Sequence, residues 1–580
     1  MIFIVRQSCK IIFIGWVLLS FTIAGCAPFS SKSHEEQISD IPAEYRSGLA
    51  DPRAKALFAF SQYRLFGSEG RWDDAISALE RAIAFDSQTS YLKFTLAKTY
   101  LHTEKVDKSA QILENLLLRS PDYGAGHELL GDVFSFQGEY SKAIKHFSRA
   151  LELSPDKLSV QMRLGMALEQ NGDSASAVDL LESILEQSPQ SAAARLILAR
   201  IYFDVGRAED AKLAYQQILQ QAPGHQQATL DYGKILFQDN QDAAVDLYLE
   251  TLKHNPFAAA VHQRIAQIYL SRQELDLALF HFQSVLEQYP DNLQVLGRIA
   301  LINLELKNWA EAESGFRRLL LTQEHEDRNR YYLSVALSGL LKFDDAIVEL
   351  EQISEQSPNY ETSALQLAYL YNQVGRKDNA VQTLRQMLDL GLQQPEVYFY
   401  LAAFLADLGN YDEALEIIQE GTSEYPENVR LLYQLGVVYE QLKDSSAAVD
   451  VMEKILDLDS NHADALNFLA YYQAEQGLDL DVALDRALKA YAIMPSGYIA
   501  DTLGWVYYKL GQYEESRHYL ESAADSYPKD SVILEHLGDL YGAMSLWSEA
   551  GQSYRKALSL DPEASHVRDK LNKMEIEINQ

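Results

Sequence analysis

Apolar and polar positions alternate along this chain in blocks that repeat about every 34 residues. From Gly124 the order is Leu130-Gly131, Phe134, Ala143, Phe147, Ala150 and Pro155. From Ser531 the same offsets give Leu537-Gly538, Tyr541, Ala550, Tyr554, Ala557 and Pro562. Prolines fall at 121, 155, 189, 223, 256, 290, 358, 426, 495, 528 and 562, one or two periods apart; Pro395 alone among the later prolines is out of phase. Apolar residues three and four apart predict helices. The closing proline cannot extend a helix and suits the turn into the next one. Each period therefore predicts a helix A, a short turn and a helix B.

Small residues recur at the eighth place (Gly131, Gly165, Ala199, Gly233, Ala266, Gly436, Gly504, Gly538). Alanine recurs at the twentieth place, from Ala143 through Ala177, Ala211, Ala346 and Ala414 to Ala448. Both let two helices approach closely, and aromatics fill the space that remains. One hairpin cannot bury both of its faces, so stability must come from stacking. These offsets resemble the tetratricopeptide repeat (TPR), and the likeness covers nearly the whole chain. It implies an all-α fold: a right-handed α-solenoid superhelix of about fifteen hairpins. Residues 563–580 read as a capping helix, with Val567, Leu571 and Met574 inward and Arg568, Asp569, Lys570 and Lys573 in water. The first hairpin carries extra residues around Gly67-Ser68-Glu69-Gly70, expected as a lengthened loop. Asn303 and Gln473 stand where an aromatic is usual, and Ser516 where alanine is.

The N-terminus has a different pattern. Arg6 and Lys10 precede a short apolar run, Ile11 to Phe21, then Ile23-Ala24-Gly25-Cys26. The run is short for a membrane span. The last four residues resemble the lipobox of bacterial lipoproteins, which implies cleavage before Cys26 and acylation of its thiol. The chain has 2 cysteines, Cys9 and Cys26, so processing would leave no free thiol and no disulfide. Ala27 rather than aspartate implies, by the same resemblance, export to the outer membrane. The expected organisation is a leader over 1–25, a lipidated tether over 26–51, a solenoid over 52–562 and the cap. A flexible tether of this length reaches roughly 25 to 30 Å.

Charge narrows the partners. The formal net charge is -33, from 50 basic and 83 acidic residues. Such a surface repels phosphate backbones, so nucleic acid is not an expected partner; the acids either solvate a large surface or favour basic partners. No H-E-x-x-H, G-x-S-x-G, phosphate-binding glycine loop or Cys-x-x-Cys occurs, and the histidines, including His127 and His146, stand singly in the sequence. No catalytic residue, metal site, cofactor or small-molecule substrate is expected, and the chain does not read as an enzyme.

Helices A line the concave side of a TPR solenoid. By the repeat pattern, that side carries Tyr331, Tyr369, Phe399, Tyr433, Tyr471, Trp505 and Tyr508 in the C-terminal half. Rings dominate interface hot spots, so these are the candidate partner-binding residues, although the same places partly pack between hairpins. Toward the N-terminus the places are mixed: Tyr91 and Phe94, Glu128 and Asp132, Met162 and Met166, Phe203, Phe237. Lys98, Arg200, Lys234, Arg328 and Arg430 could clamp a carboxylate or neutralise nearby acids. The segments 467–471, 501–508 and 535–539 are similar to the C-terminal part of TPR lipoproteins of Gram-negative envelopes. That resemblance implies a scaffold holding other proteins, in outer-membrane assembly, secretion or polysaccharide export. A carrier of unfolded or lipidated clients and a cell-wall glycan binder stand beside it.

Overall fold

The computed structural model describes residues 51–322 and 326–578. The leader, Cys26 and the tether up to residue 50 lie outside the described residues. Among the described residues there are 31 α-helices and no strand. They run as fifteen A–B pairs, from Pro52–Ser68 with Trp72–Phe85 to Ser531–Ala543 with Trp547–Leu560, and end with Ser565–Ile578. The chain is a helical solenoid, and the hairpins follow the expected period.

The described residues divide into two compact units, 51–268 and 269–578. In the first, Leu113, Leu130, Phe134, Ala143 and Phe147 share one core, and Leu181, Ala199, Tyr215 and Tyr232 another. In the second, a core runs through Phe316, Leu333, Ala346, Tyr371, Leu384 and Leu401. A further one joins Ala470, Ala483, Leu503 and Trp505. No single centre exists in either unit; each core is shared between neighbouring hairpins, as quasi-one-dimensional stacking requires.

The small residue at the eighth place has a specific neighbour. A Cβ on Gly131 would lie 2.5 Å from the ring of Phe147, one on Gly233 2.3 Å from Tyr248, and one on Gly538 2.7 Å from Tyr554. The aromatic of helix B thus sits directly on the glycine of its own helix A. The alanines at the twentieth place, such as Ala143, Ala177 and Ala211, are fully buried. Where serine replaces them, the hydroxyl is satisfied inside the hairpin: Ser109 Oγ donates to the Ala97 carbonyl (2.8 Å) and Ser516 Oγ to the Gly504 carbonyl (2.7 Å). Asn303 is likewise bonded, accepting from Asn308 at 3.2 Å, and Gln473 accepts from Arg486 at 3.2 Å.

Successive hairpins are latched by tyrosines. Tyr100 donates to Glu80 (2.7 Å), Tyr202 to Glu182 (2.5 Å) and Tyr541 to Glu521 (2.9 Å). Tyr371 does the same to Glu351. Each bond joins a helix A to the preceding helix B. Burial first, and then the bonded carboxylate, pushes all four phenols up to about 12. Unfolded phenols lose their protons near pH 10, while the folded ones still hold theirs. The unfolded state then binds fewer protons, so stability should be constant below about pH 10 and fall toward pH 12. Urea unfolding from pH 8 to 11.5 should show this fall, and a variant with all four tyrosines changed to phenylalanine should show less of it. A flat profile would contradict the latch.

Two expectations need correction. The extra residues of the first hairpin lengthen helix A to 17 residues, Pro52–Ser68, and the turn stays tight, with Gly70 at φ 71°. In the last helix Val567 and Met574 are buried as expected, but Lys570 does not stand free in water. It bridges Glu535 (2.6 Å) and Asp539 (2.5 Å) on the last helix A.

Candidate functional site

Helices A of successive hairpins touch each other, as in Ala463–Gln476 with Gly497–Lys509, and Pro395–Asp407 with Val429–Gln441. Among the described residues no pair of successive B helices meets as extensively. Within each unit the A side is therefore the tighter one, and its outward positions recur hairpin by hairpin as a strip.

In the second unit this strip carries the predicted rings. Tyr369 is 44% exposed. Tyr331, Phe399, Tyr433, Tyr471 and Tyr508 are half-buried, each with one edge packed between helices. Tyr331 lies 5.4 Å from Tyr332, which stacks on Phe316. Tyr433 lies 5.6 Å from His462, and Tyr471 6.2 Å from His536. Burial, followed by the charge of Asp464, pushes the Tyr433 phenol up to about 12. Burial also raises Tyr471 and Tyr508. These phenols stay protonated donors at physiological pH.

Trp505 differs from the rest. It is only 6% exposed. Its ring lies between Tyr508 (4.7 Å) and His536 (4.0 Å), both nearly parallel to it. The indole N–H donates to Glu475 at 2.5 Å, and the Lys509 ammonium sits 4.7 Å from the ring centre. His536 in turn bonds both oxygens of Asp501 at 3.0 Å. The expectation that Trp505 faces a partner is thus not met: the indole is a rivet through three successive A helices.

The cations fall into distinct roles. Arg430 lies over the Phe399 ring at 3.8 Å and near Tyr400 at 5.2 Å. It sets a positive charge on this aromatic surface, and nothing in the sequence beyond its helical spacing points to that. Arg200 pairs with Asp231 at 2.7 Å. Lys234 is exposed. Arg328 faces a recess of about 510 Å³ between two A helices, also lined by Arg298, Phe316 and Tyr332. Gly297 contributes no side chain there, which leaves the space open. Lys98 borders a second recess of about 390 Å³ in the first unit.

Elsewhere in the first unit the strip is charged. Glu128 pairs with Lys157 (2.5 Å) and Arg163 (3.2 Å), and Arg163 also reaches Asp132 (2.5 Å). Tyr91 is 54% and Met166 42% exposed; Phe237 is 39% exposed, while Phe94, Met162 and Phe203 are half-buried. His127 and His146, far apart in sequence, meet through their Nδ1 atoms at 2.9 Å. His127 Nε2 also lies 2.9 Å from the Pro121 carbonyl, so that nitrogen carries the proton and His146 donates between the rings. Burial, then the neighbouring His127, lowers His146 to about 4. Among the described residues no cluster of three or more His, Cys, Asp or Glu could hold a metal ion, and no helix is long and apolar enough to cross a membrane. Cys26, the expected lipidation site, lies outside the described residues.

Two models of the tetratricopeptide repeat match the chain, one over residues 68–133, 137–201, 168–214 and 405–472, the other over 196–259, 239–292, 264–328 and 502–565. A model of subunit 3 of the anaphase-promoting complex, cyclosome, matches 340–421. The TPR repeat-containing protein PA4667 of Pseudomonas aeruginosa is 30% identical over 170 residues, 28% of each chain. Lipopolysaccharide assembly protein B of Escherichia coli K12 is 22% identical over 230 residues, 39% of this chain and 51% of that one. The matches span from about a quarter to somewhat over half of the curated relatives' lengths. Among solved structures, the APC/C hetero-tetramer Cut9-Hcn1 is 16% identical with a TM-score of 0.36, covering 82% of this chain and 95% of that one. Yeast Tom70 is 13% identical with a TM-score of 0.30, covering 90% and 96%.

Proposed function

The chain belongs to the tetratricopeptide-repeat family, and from that premise we propose that it is a lipid-anchored scaffold of the bacterial envelope. Cys26 carries the lipid, and the outer membrane, facing the periplasm, is its place. Partner proteins or peptides lie along the A-helix strip of the second unit. The observation that carries this reading is the row of rings at Tyr331, Tyr369, Phe399, Tyr433, Tyr471 and Tyr508, of which Tyr369 is exposed and the other five are half-buried. Preplaced rings lose little conformational freedom on binding. Their spacing, one hairpin at a time, suits an extended segment or a helix laid across several repeats. The recess at Gly297 and Arg328 would receive a partner side chain beside the row. No chemistry is assigned to the chain; it holds its partners without transforming them. The name of the Escherichia coli relative supports an envelope process, and outer-membrane assembly, secretion and polysaccharide export remain the processes that such a scaffold serves.

Crosslinking in whole cells, followed by mass-spectrometric identification, tests this. One or two proteins recovered in near-equal amount with the chain are the expected result. A broad set of unfolded or lipidated clients would point instead to a carrier, and glycan adducts to a cell-wall binder; either would replace the scaffold reading.

A further inference from the structure

The first helix, Pro52–Ser68, has no hairpin before it among the described residues. Its outward face carries Leu57 (70% exposed), Leu65 (55%) and Phe58 (47%). Arg53, Ser61 and Arg64 share that face and are exposed. The helix contains Arg53, Lys55 and Arg64 and no acidic residue, in a chain with 83 acids against 50 bases. Among the described residues neither guanidinium is bonded to a carboxylate. The next helix A, Ser90–His102, repeats the composition: Lys93 and Lys98, no acid, and Tyr91 more than half exposed. Arg64 and Lys98 flank the recess that Trp72 and Tyr91 also line. This end of the array thus reverses the sign of the chain's charge and bares large apolar side chains beside the cations.

We propose that this face rests on the surface of the lipid bilayer. Leu57, Phe58 and Leu65 would enter the boundary between headgroups and acyl chains, with Arg53 and Arg64 on anionic headgroup phosphates. An apolar ridge edged by arginines is the composition that interfacial helices use, and juxtamembrane cations are drawn to anionic lipid. The occupant follows from where the chain goes: 25 residues, 27–51, separate Cys26 from this helix in the sequence. The proposal rests on the reading of Cys26 as the acylated residue. The lipid then holds the chain at the membrane, and the helix face decides which way the array presents itself there. A second copy of the chain or its own residues 27–50 are the competing occupants.

The test uses the full chain, expressed in a host that processes lipoproteins and placed in vesicles of phosphatidylethanolamine and phosphatidylglycerol. Single cysteines at Phe58 or Leu65 carry a fluorophore, and nitroxide-bearing lipids serve as quenchers. The control is Leu118→Cys, an apolar position 80% exposed in a later hairpin of the same unit. Quenching severalfold stronger at 58 and 65 than at 118 is expected. R53E with R64E should remove that contrast while the chain still floats with the vesicles. Equal quenching at 58 and 118 would overturn the proposal. So would a label at 58 shielded from aqueous iodide yet untouched by the lipid quencher, because another protein segment then covers the face. The intact mass reads acylation separately: a mass without lipid would remove the anchor, and the quenching contrast would still decide the face.

Discussion

Replacing Trp505 by alanine is expected to loosen the C-terminal hairpins and leave the first unit folded. The indole is sandwiched between Tyr508 and His536 and bonded to Glu475, so its loss empties a volume that three helices share. Truncation of a buried tryptophan costs about 3–5 kcal/mol. Part of that cost would fall on the buried Asp501–His536 pair, whose side chains are only 9% and 7% exposed and which would lose its apolar cover. In a stacked array the damage stays local. Hydrogen exchange should therefore speed up over 463–578 and stay slow in the core helices of residues 90–268. Trp505→Phe, which keeps a stacking ring but not the N–H, should cost less. Unchanged exchange in the alanine variant, together with lost partner binding, would restore Trp505 to the surface row and refute the rivet.

The second large effect concerns partner capture. Tyr369→Ala, Phe399→Ala and Tyr433→Ala together should weaken binding by about 100-fold or more, because three ring anchors, each worth about 1 kcal/mol or more, disappear at once. Stability should change far less than for Trp505, since Tyr369 is exposed and the other two rings are only half-buried. Phe399 also holds Arg430, so R430A alone should reproduce a fraction of the loss by freeing the ring. A matched set on B helices, Val348→Ala with Leu488→Ala, serves as control, as both are exposed there. Calorimetry with the partner recovered by crosslinking reads the difference. Equal affinity in the two sets would remove the row as a binding surface.

Much of the fold was legible because the repeat makes every packing rule recur fifteen times. The period, the alanines at the twentieth place and the in-phase prolines each reflect one local requirement, the close approach of two helices or their interruption. The candidate site was legible only in outline. The pattern places Trp505 and Tyr508 on helix A, but burial is set by neighbours some 30 residues away, Glu475 before it and His536 after it. Those contacts depend on the rotation from one hairpin to the next, which no single period encodes. His127 and His146 meet within one hairpin, across its two helices, and there it is the facing of two particular rings that the repeat pattern leaves open. The turns hide their demands as well. Gly172 announces a left-handed residue at φ 86°, yet Leu341 and Lys443 adopt that conformation at 59° and 63° in equivalent turns.

Site-resolved photocrosslinking reads which face of the repeats holds the partner. A photoreactive amino acid would replace Tyr369 or Phe399 on the A strip, and Val348 or Leu488 on B helices, in cells producing the full chain. Adducts to the same one or two proteins are expected from both A positions, and none from the B positions. Adducts from the B positions alone, or equal yields from all four, would contradict the A strip as the binding face.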